Sequence, residues 1–429
     1  MKIILLTKNK NFLNHNNIFG TENIVKIISD EMNKIGIEAQ ILGCNDNQKI
    51  VIKNPINYFS RGRLADTSNF KEILKENKPD LVQFHGFSAG EWGLSHLLAC
   101  KEFKIKTLLW HNVPSITCMQ HELLYMSRKP CDGKFSVQKC TSCRLNYKIK
   151  NEFISNFFGT IGNFPIEFLN YKKSNRLLSS RKYSYEFYNS IKIMKDNFDV
   201  VRIGSDWVKR VLLKNDFDED KLAFIRPSVS KEFWDLYNNS YTYPSEDEHS
   251  YKGKNINLLF WGRLVRSKGI NVIRKSIKLL NKYKYTIHIV GDVSKGDKSF
   301  KKLYSENKKN EKIIFHGSLD HNSIFKLGIK CDLALIPSSW FETGPITVYE
   351  AFAMNLPIIG TKLGGIEEIC THNINSLLFE LNNHKELANL IINLINEPSK
   401  INYLRSNIPK PRSPQDLGIE LRKVYEKFL

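Results

Sequence analysis

The sequence predicts an α/β protein with two doubly wound parallel sheets, each covered by helices on both faces. Short apolar runs rich in β-branched residues alternate with longer segments of helical period, as in buried parallel strands joined by helices. The pattern occurs once before and once after a polar stretch, residues 236–255, that has no core of its own. A length of 429 residues and a hydrophobic fraction of 41% suit a folded chain of two or three domains.

Each half of the chain has its own series of strand candidates, in the following order. In the first half they are Ile3–Leu6, Ala39–Leu42, Leu81–Phe84, Thr107–Trp110, Val200–Ile203 and Ala223–Ile225. In the second half they are Asn257–Trp261, Thr286–Val290, Ile313–Phe315, Leu333–Ile336, Pro357–Ile359 and Leu377–Phe379.

The last segment, after Pro414, has the period of an amphipathic helix. Its apolar face is expected to contain Leu417, Leu421, Val424 and Phe428. The resulting division is a first domain at 1–235, a linker at 236–255, a second domain at 256–413 and a terminal helix at 414–429. That helix could cross back to the first domain.

The chain is strongly basic, because 64 Lys and Arg residues against 44 Asp and Glu residues give a net charge of +20. This charge favours anionic partners such as nucleic acid, nucleotide phosphates or an acidic membrane surface; the alternative is only a solvated surface rich in lysine. No apolar run approaches the roughly 18 residues that cross a bilayer. The apolar start is shorter than the roughly 7–15 residues of a signal-peptide core. We therefore expect a cytoplasmic protein that could sit peripherally on the inner face of an anionic membrane.

Eight cysteines in such a protein are expected to be reduced thiols or metal ligands. Cys118, Cys131, Cys140 and Cys143 lie in one polar segment, residues 112–145, and the last two have Cys-x-x-Cys spacing. Four thiols can complete a tetrahedral structural zinc site, and loose reduced thiols are the alternative. A closed four-ligand shell has no position for water, so no catalysis is expected there.

The segment after the strand ending at Ile336 has the densest set of candidate site residues. Glu342 precedes a helix start marked by Pro345, and Glu350 follows on the second turn of that helix. Residues that follow a strand lie at the carboxyl edge of an open parallel sheet, where ligands bind. With Gly344 beside them, the free amides of the helix start are expected to attract phosphate.

The chain continues through Ala351, the strand Pro357–Ile359 and the loop Gly364–Gly365. Two glutamates separated by seven residues are thus followed by an alanine, a Pro-containing strand and a Gly-Gly loop. This order resembles the retaining glycosyltransferases of family four. Those are cytosolic enzymes of the GT-B type, with two Rossmann-like domains. The resemblance implies that Glu342 contacts the donor sugar, that Glu350 binds ribose hydroxyls, and that the Gly364–Gly365 amides face the sugar and diphosphate. For the two glycines an ordinary tight turn is the alternative.

A second cluster follows the first strand of the second half and comprises Gly262, Arg263, Lys268 and Gly269. The family has the same Gly-Arg, with Lys-Gly five and six positions after the Arg. Cleavage of a nucleotide sugar leaves a charged diphosphate, and without a metal fixed cations must stabilise it. Arg263 can bond two phosphate oxygens at once, whereas Lys268 supplies a compact charge. The alternative is a solvated basic turn.

The first half carries a weaker version of the family pattern. Gly20 matches a glycine-bearing loop that in the family opens a helix under the donor phosphates and acceptor, although one glycine replaces the usual two. His85 and His111 each follow a strand. The resemblance implies that both face a cleft between the domains, with His111 nearer the donor sugar and its leaving phosphate. An ordinary turn and two structural histidines are the alternatives.

Residues 146–195 mix Phe and Tyr with Lys and Arg, which suits nucleic acid, a lipid interface or ordinary packing. The resemblance favours the lipid interface, since family members often act at membranes.

Together these features predict a retaining, metal-independent, hexosyltransferase-like enzyme of surface-polysaccharide biosynthesis. It would move a sugar from a UDP- or GDP-linked donor to a saccharide or polyprenyl-linked acceptor, with no nucleic-acid partner. A zinc-containing nucleic-acid-binding protein and a non-catalytic sugar-nucleotide binder are the alternatives.

Overall fold

The computed structural model describes residues 1–7, 20–43, 67–87, 92–160, 179–239 and 255–428. Its strands are β1 (Lys2–Thr7), β2 (Glu38–Gly43), β3 (Leu81–Phe84), β4 (Lys106–Trp110), β5 (Leu124–Tyr125), β6 (Lys129–Pro130), β7 (Val200–Ile203), β8 (Leu222–Phe224), β9 (Ile256–Trp261), β10 (Tyr285–Val290), β11 (Ile313–Gly317), β12 (Leu333–Ile336), β13 (Ile358–Thr361) and β14 (Ser376–Phe379).

The α-helices of the described residues accompany these strands. They are α1 (Thr21–Lys34), α2 (Ser68–Asn77), α3 (Leu94–Glu102), α4 (Val137–Ile149), α5 (Glu152–Thr160), α6 (Ser179–Asn197), α7 (Asp206–Lys214), α8 (Lys231–Asn239), α9 (Ile270–Ile277), α10 (Lys298–Asn307), α11 (His321–Gly328), α12 (Ile346–Ala353), α13 (Gly364–Ile369), α14 (His384–Asn396), α15 (Ser399–Ser406) and α16 (Pro414–Phe428). Within the described ranges, none is long and apolar enough to cross a membrane.

The two expected parallel sheets are confirmed. One has the strand order β2-β1-β3-β4-β7-β8 and the other the order β11-β10-β9-β12-β13-β14, and neighbouring strands in both run parallel. The inner strands β3, β7, β12 and β13 and the edge strand β14 are buried along their whole length, which explains why they read as continuous apolar runs instead of alternating patterns. The strand order reverses beside β1 and beside β9, so each sheet has a switch point where ligands bind.

The chain forms two compact units. The first contains the described residues up to Arg226 except Gly20, together with 418–428; the second contains Gly20 and the described residues of 227–417. The units divide after Arg226, and α8 (Lys231–Asn239) buries Phe233 completely in the core of the second unit. The expected linker therefore overlaps a helix at 236–239, and its part at 240–254 lies outside the described residues.

The terminal helix α16 contributes its residues from Gly418 to the first unit, and its buried face includes Tyr425, which was not expected there. Leu417, Leu421 and Tyr425 are at most 1% exposed, whereas Val424 and Phe428 are half-buried. Spacing of four residues keeps the three buried side chains on one stripe of the helix. The β5–β6 hairpin lies between β4 and α4, within the segment where the sequence placed a cysteine loop.

Candidate functional site

The second unit brings Lys268 and Glu342 into direct contact. Lys268 Nζ donates to Oε1 of Glu342 at 2.6 Å, and Ser338 Oγ and Trp340 Nε1 donate to the same oxygen at 2.8 Å each. The Lys268 ammonium also lies 5.7 Å from the centre of the Trp340 ring. Burial by itself raises the pKa of Glu342, but Lys268 and the two hydrogen bonds outweigh it, so the pKa lies below its usual value. Glu342 is therefore a fixed carboxylate held by three donors.

Glu350 lies on α12 in a different environment. Trp261, the last residue of β9, donates its indole N–H to Oε2 of Glu350 at 2.6 Å. Burial raises the pKa of Glu350 although His321, the Trp261 bond and Lys268 act in the opposite direction. Within the described chain, Oε1 of Glu350 has no hydrogen-bond partner, so one carboxylate oxygen is available to a ligand hydroxyl.

The loop after β9 approaches the loop after β12 closely. Ser339 N donates to Ser267 O at 2.7 Å. Gly269 has φ +80°, and a Cβ there would lie 1.8 Å from the carbonyl oxygen of Pro337. Gly262 has φ +132° and no atom of a described residue within 4 Å of a Cβ position. Gly269 thus allows the two loops to pack, whereas Gly262 leaves open space at the carboxyl edge of β9.

The glycines around Glu342 lie against its backbone. Gly365 N donates to Glu342 O at 2.8 Å, and a Cβ at Gly365 would lie 3.0 Å from Gly344 N. The Gly365 amide is therefore already used inside the protein, which revises the expectation that it faces a ligand. Gly364, with φ +59°, opens α13. Pro345 is the N-cap of α12 and not its first helical residue, because its ψ of 114° is extended.

Arg263 is exposed, and its guanidinium has neither a hydrogen bond nor an ion pair to any described residue. Lys268 stands five positions along, at the end of a short 3-10 helix, Arg266–Lys268, which is held by Arg266 N donating to Asp297 at 2.6 Å. The loop after β9 thus carries one cation paired with Glu342 and one open to solvent.

In the first unit the two expected histidines lie at neighbouring strand ends and are both buried. The His85 ring stacks on Trp110 at 5.4 Å, and the Arg202 guanidinium lies 4.2 Å over the same indole. Arg202 Nη1 also approaches the carbonyl oxygen of His111 at 3.5 Å. Burial, and then the charge of Arg202, lower the pKa of both histidines to about 3. Both rings are therefore neutral at ordinary pH.

Gly20, the remaining expected residue of the first half, is exposed with φ +73° and directly precedes α1. The residues before it, 8–19, lie outside the described part of the chain.

The four cysteines line one cavity and are all free thiols. Cys140 and Cys143 lie one turn apart on α4. The sequence had suggested a loop for this segment, so that expectation was wrong. Met126 N donates to Cys143 Sγ at 3.2 Å, which ties the β5–β6 hairpin to this helix. Burial raises the pKa of Cys140 to about 12 and of Cys143 to about 11. Over the described residues, no three His, Cys, Asp or Glu side chains stand in an arrangement that could hold a metal ion.

Several residues that support the site were missed from sequence. Trp261, Ser338 and Trp340 hold the two carboxylates, and each lies within a segment already singled out for its charged neighbours. Arg202 is an arginine inside the apolar strand β7, and that anomaly was the available signal.

Comparison with known proteins bears on these observations. Residues 245–410 match the family described as Glycosyl transferases group 1. An uncharacterized glycosyltransferase of Methanocaldococcus jannaschii is 29% identical over 224 residues, which cover 50% of this chain and 57% of the relative. The capsular polysaccharide biosynthesis glycosyltransferase CapM of Staphylococcus aureus is 22% identical over 243 residues, covering 54% of this chain and 62% of CapM. The matches thus span less than two thirds of either relative.

Among solved structures, HepE of Anabaena in complex with UDP and glucose aligns over 100% of this chain and 99% of its own, with a TM-score of 0.59 and 14% identity. At this identity the likeness shows the fold. The match at 245–410 falls within the second unit, where Lys268, Glu342 and Glu350 lie. The second unit is therefore similar to the glycosyl transferases group 1 family over the matched residues, and the chain has the GT-B fold.

Proposed function

We propose that the protein is a glycosyltransferase that moves a sugar from a nucleoside-diphosphate donor to a saccharide or lipid-linked saccharide in surface-polysaccharide synthesis. The observation that carries this proposal is the contact between Lys268 and Glu342 beside Glu350, in the unit that matches the family. The second unit would bind the donor and the first unit the acceptor. UDP and glucose bound to HepE, and the capsular role in CapM's name, support the substrate class.

Arg263 and Lys268 would bind the diphosphate. Arg263 is exposed and has no competing partner among the described side chains, so its planar guanidinium is free to bond two phosphate oxygens. Lys268 would add a compact charge while Glu342 and Trp340 hold it in place. Charge on the leaving phosphate grows as the sugar bond breaks, so both cations would contribute most at that stage.

The two glutamates would bind hydroxyls. A carboxylate accepts hydrogen bonds only, which suits sugar and ribose O–H groups. Glu342 would contact the sugar ring, and the open Oε1 of Glu350 would accept from the ribose. Gly262 and Gly344 would let the ligand approach the backbone, since neither carries a side chain.

The proposed course is substitution on the same face of the sugar, with retention. The bond between the anomeric carbon and the phosphate oxygen breaks, and the acceptor oxygen bonds to the anomeric carbon. Its proton passes to the departing phosphate, so neither a carboxylate nucleophile nor a metal ion is required in this scheme. His111 is neutral, with a lowered pKa, and would act as a hydrogen-bond partner of the substrate instead of an acid.

Thermal denaturation with UDP, GDP, ADP and CDP tests the proposal. A ligand present at 100 times its Kd stabilises the folded state by about 2.7 kcal/mol through mass action. We expect one nucleotide to raise Tm clearly above the others, and Glu350→Ala to abolish that rise. No shift with any of the four would contradict a nucleotide-sugar donor. Neither the family match nor the relatives favour a nucleic-acid-binding protein.

We also propose structural zinc at Cys118, Cys131, Cys140 and Cys143. All four line one cavity, and the Met126 N–H bond to Cys143 Sγ opposes part of the burial that raises the pKa of this thiol. Binding would require the side chains to turn toward a common centre and lose their protons. Metal analysis after purification without chelators should find zinc, and Cys140→Ser should remove it. Cys100→Ser, a buried thiol outside the cavity, is the control, and metal-free wild-type protein would refute the site.

A further inference from the structure

A buried hydrogen-bond chain ends at the carboxyl end of β3. The Tyr425 hydroxyl of α16 donates to Oε1 of Gln83 at 2.6 Å, and Nε2 of Gln83 lies 2.7 Å from Nε2 of His85. Gln83 and His85 are two positions apart, so their side chains project from the same face of the sheet. All three residues are at most 2% exposed. The chain thus links the terminal helix to a strand end where ligands bind in folds of this kind.

The direction of these bonds decides which nitrogen of His85 carries the proton. Tyr425 has Gln83 as its one hydrogen-bond partner in the described part of the chain, so its O–H must point at the amide oxygen. The amide nitrogen then donates to Nε2 of His85, which is unprotonated, and the proton is on Nδ1. Reversing the amide would leave the Tyr425 O–H without an acceptor and Nδ1 without a donor, so the observed orientation leaves fewer buried polar groups unsatisfied.

Within the described part of the chain, the Nδ1–H of His85 has no hydrogen-bond partner. Nδ1 is buried and makes no hydrogen bond, judged over the described residues, and the same holds for Nε1 of the stacked Trp110 and Nδ1 of His111. Arg202 on the Trp110 ring disfavours a second proton on His85. Unsatisfied buried donors are uncommon in folded proteins and are often completed by a ligand.

We propose that the Tyr425–Gln83 chain holds the His85 proton on Nδ1, so that His85 is a neutral hydrogen-bond donor to an oxygen of the substrate. Gln83 and Tyr425 are positioning residues in this scheme. The substrate oxygen belongs either to the sugar nucleotide or to the attacking hydroxyl, both of which are acceptors of the same kind. The inference rests on the proposed glycosyltransferase function for the identity of that substrate.

Nitrogen-15 NMR of histidine-labelled protein tests the chain without any need for activity. The histidine ring signals that disappear in His85→Asn are assigned to His85. Wild-type protein should show the proton on Nδ1. In Gln83→Glu the carboxylate has no N–H, so the proton should move to Nε2, and Tyr425→Phe should give a mixture. A proton on Nε2 in the wild type, or an unchanged tautomer in Gln83→Glu, would overturn the proposal.

Turnover tests the contact with substrate, using hydrolysis of the sugar nucleotide that the nucleotide screen identifies. Gln83→Glu should lower kcat/KM at least tenfold. A higher KM assigns the oxygen to the sugar nucleotide, and a lower kcat at constant KM assigns it to the attacking hydroxyl. Unchanged kinetics with a changed tautomer would refute the contact. Tyr285→Phe removes another buried hydroxyl without a partner among the described residues and should leave turnover within twofold. If His85 has the expected tautomer but the protein hydrolyses no sugar nucleotide, the proposed function is refuted. The Tyr425–Gln83–His85 hydrogen-bond chain is then still supported.

Discussion

Glu342 and Glu350 show how one motif can place two carboxylates in opposite electrostatic states. Both are 6% exposed, so burial opposes ionisation of each. Glu342 has an ammonium and two neutral donors on one oxygen, and its pKa is lowered. Glu350 has one indole N–H, and its pKa is raised. The first carboxylate stabilises the fold when ionised, whereas ionisation of the second lowers stability.

Replacing each glutamate by glutamine should therefore shift Tm in opposite directions at pH 7. Glu350→Gln keeps an oxygen for Trp261 and removes the buried charge, so Tm should rise by about 2–4 °C, the shift that 1 kcal/mol gives in a unit of this size. Glu342→Gln removes the partner of Lys268, so Tm should fall. Calorimetry from pH 3.5 to 8 would measure both.

The pH dependence of the two shifts has a definite sign. A lowered carboxyl pKa gives stability that is present above the unfolded-state pKa and lost as pH falls through the folded value, so the Glu342→Gln deficit should shrink in acid. A raised pKa gives stability that is present below the unfolded-state value and lost as pH rises through the folded one. The Glu350→Gln gain should thus appear only toward neutral pH. Shifts of the same sign at pH 7 would contradict the assigned environments.

Loss of either cation should affect turnover more than folding. Removing one fixed donor from a developing charge lowers rates by about a hundredfold or more. We therefore expect Arg263→Ala and Lys268→Ala each to lower the rate of sugar-nucleotide hydrolysis by about this factor. Arg263→Ala should leave Tm unchanged, because its side chain is exposed and contacts no described partner. Lys312→Ala is the matched control, since Lys312 also lies over an aromatic ring, 5.4 Å from Tyr285. Near-normal turnover in either variant would refute that residue's role.

The charged residues of this site were predictable from sequence, and their supports were not. The resemblance to glycosyltransferase family four, carried by the order of the motifs, singled out Glu342, Glu350 and Lys268, whereas the spacing of the two glutamates alone is a weak signal. Trp261 bonds to Glu350 across 89 positions, a contact that only the folded chain creates, whereas Trp340 lies two positions from Glu342. An indole N–H has no sequence pattern that separates it from an ordinary buried tryptophan.

At the scale of elements, apolar periodicity located the strands of both sheets, because strands buried on both faces read as continuous apolar runs. Element ends were less predictable. The polar residues after Leu236 suggested a linker, yet α8 extends to Asn239 because its apolar face packs on the second core. In α16, the predicted apolar face did not include Tyr425, because tyrosine has both an apolar ring and a polar hydroxyl. In the structure the side chain is buried and the hydroxyl bonds to Gln83.

The junction of the loops after β9 and β12 depends on Gly269. A side chain there meets both left-handed backbone strain and a backbone oxygen 1.8 Å away. Gly269→Ala should therefore lower the free energy of unfolding by more than about 1–3 kcal/mol, the usual range for backbone strain alone. Denaturant titration would measure it.

Gly317→Ala separates the two effects, since Gly317 has φ +71° and no atom within 4 Å of a Cβ position. This variant has the backbone strain without the close contact to a backbone oxygen, so it should lower the free energy of unfolding less than Gly269→Ala does. Equal losses in the two variants would show that the loops are free to separate. Sugar-nucleotide turnover should fall only in Gly269→Ala, because that loop positions Lys268.

At the scale of the whole molecule, the second unit was the more predictable half. Its site depends on local motifs, and the family match falls there. The first unit depends on contacts between distant segments, such as Arg202 with Trp110 and Tyr425 with Gln83. What the molecule presents as a whole is a net charge of +20 together with an exposed aromatic face on α5.

We propose that this face, formed by Phe153, Ile154 and Phe157, rests on an anionic membrane. Phe153 is 81% and Phe157 54% exposed, and burial of such rings at a lipid interface would add to the attraction of about 1 kcal/mol for each well-placed Lys or Arg.

The protein should sediment with vesicles of phosphatidylcholine and phosphatidylglycerol, but weakly with phosphatidylcholine alone. Phe153→Ser with Phe157→Ser should lower binding at least tenfold, whereas Tyr403→Ser, an equally exposed aromatic of the second unit, should not. High salt should weaken the double variant's residual binding, which depends on charge alone, by a larger factor than it weakens wild-type binding, which also has the apolar contact. Equal binding by wild type and double variant would leave charge alone as the cause and refute the role of α5.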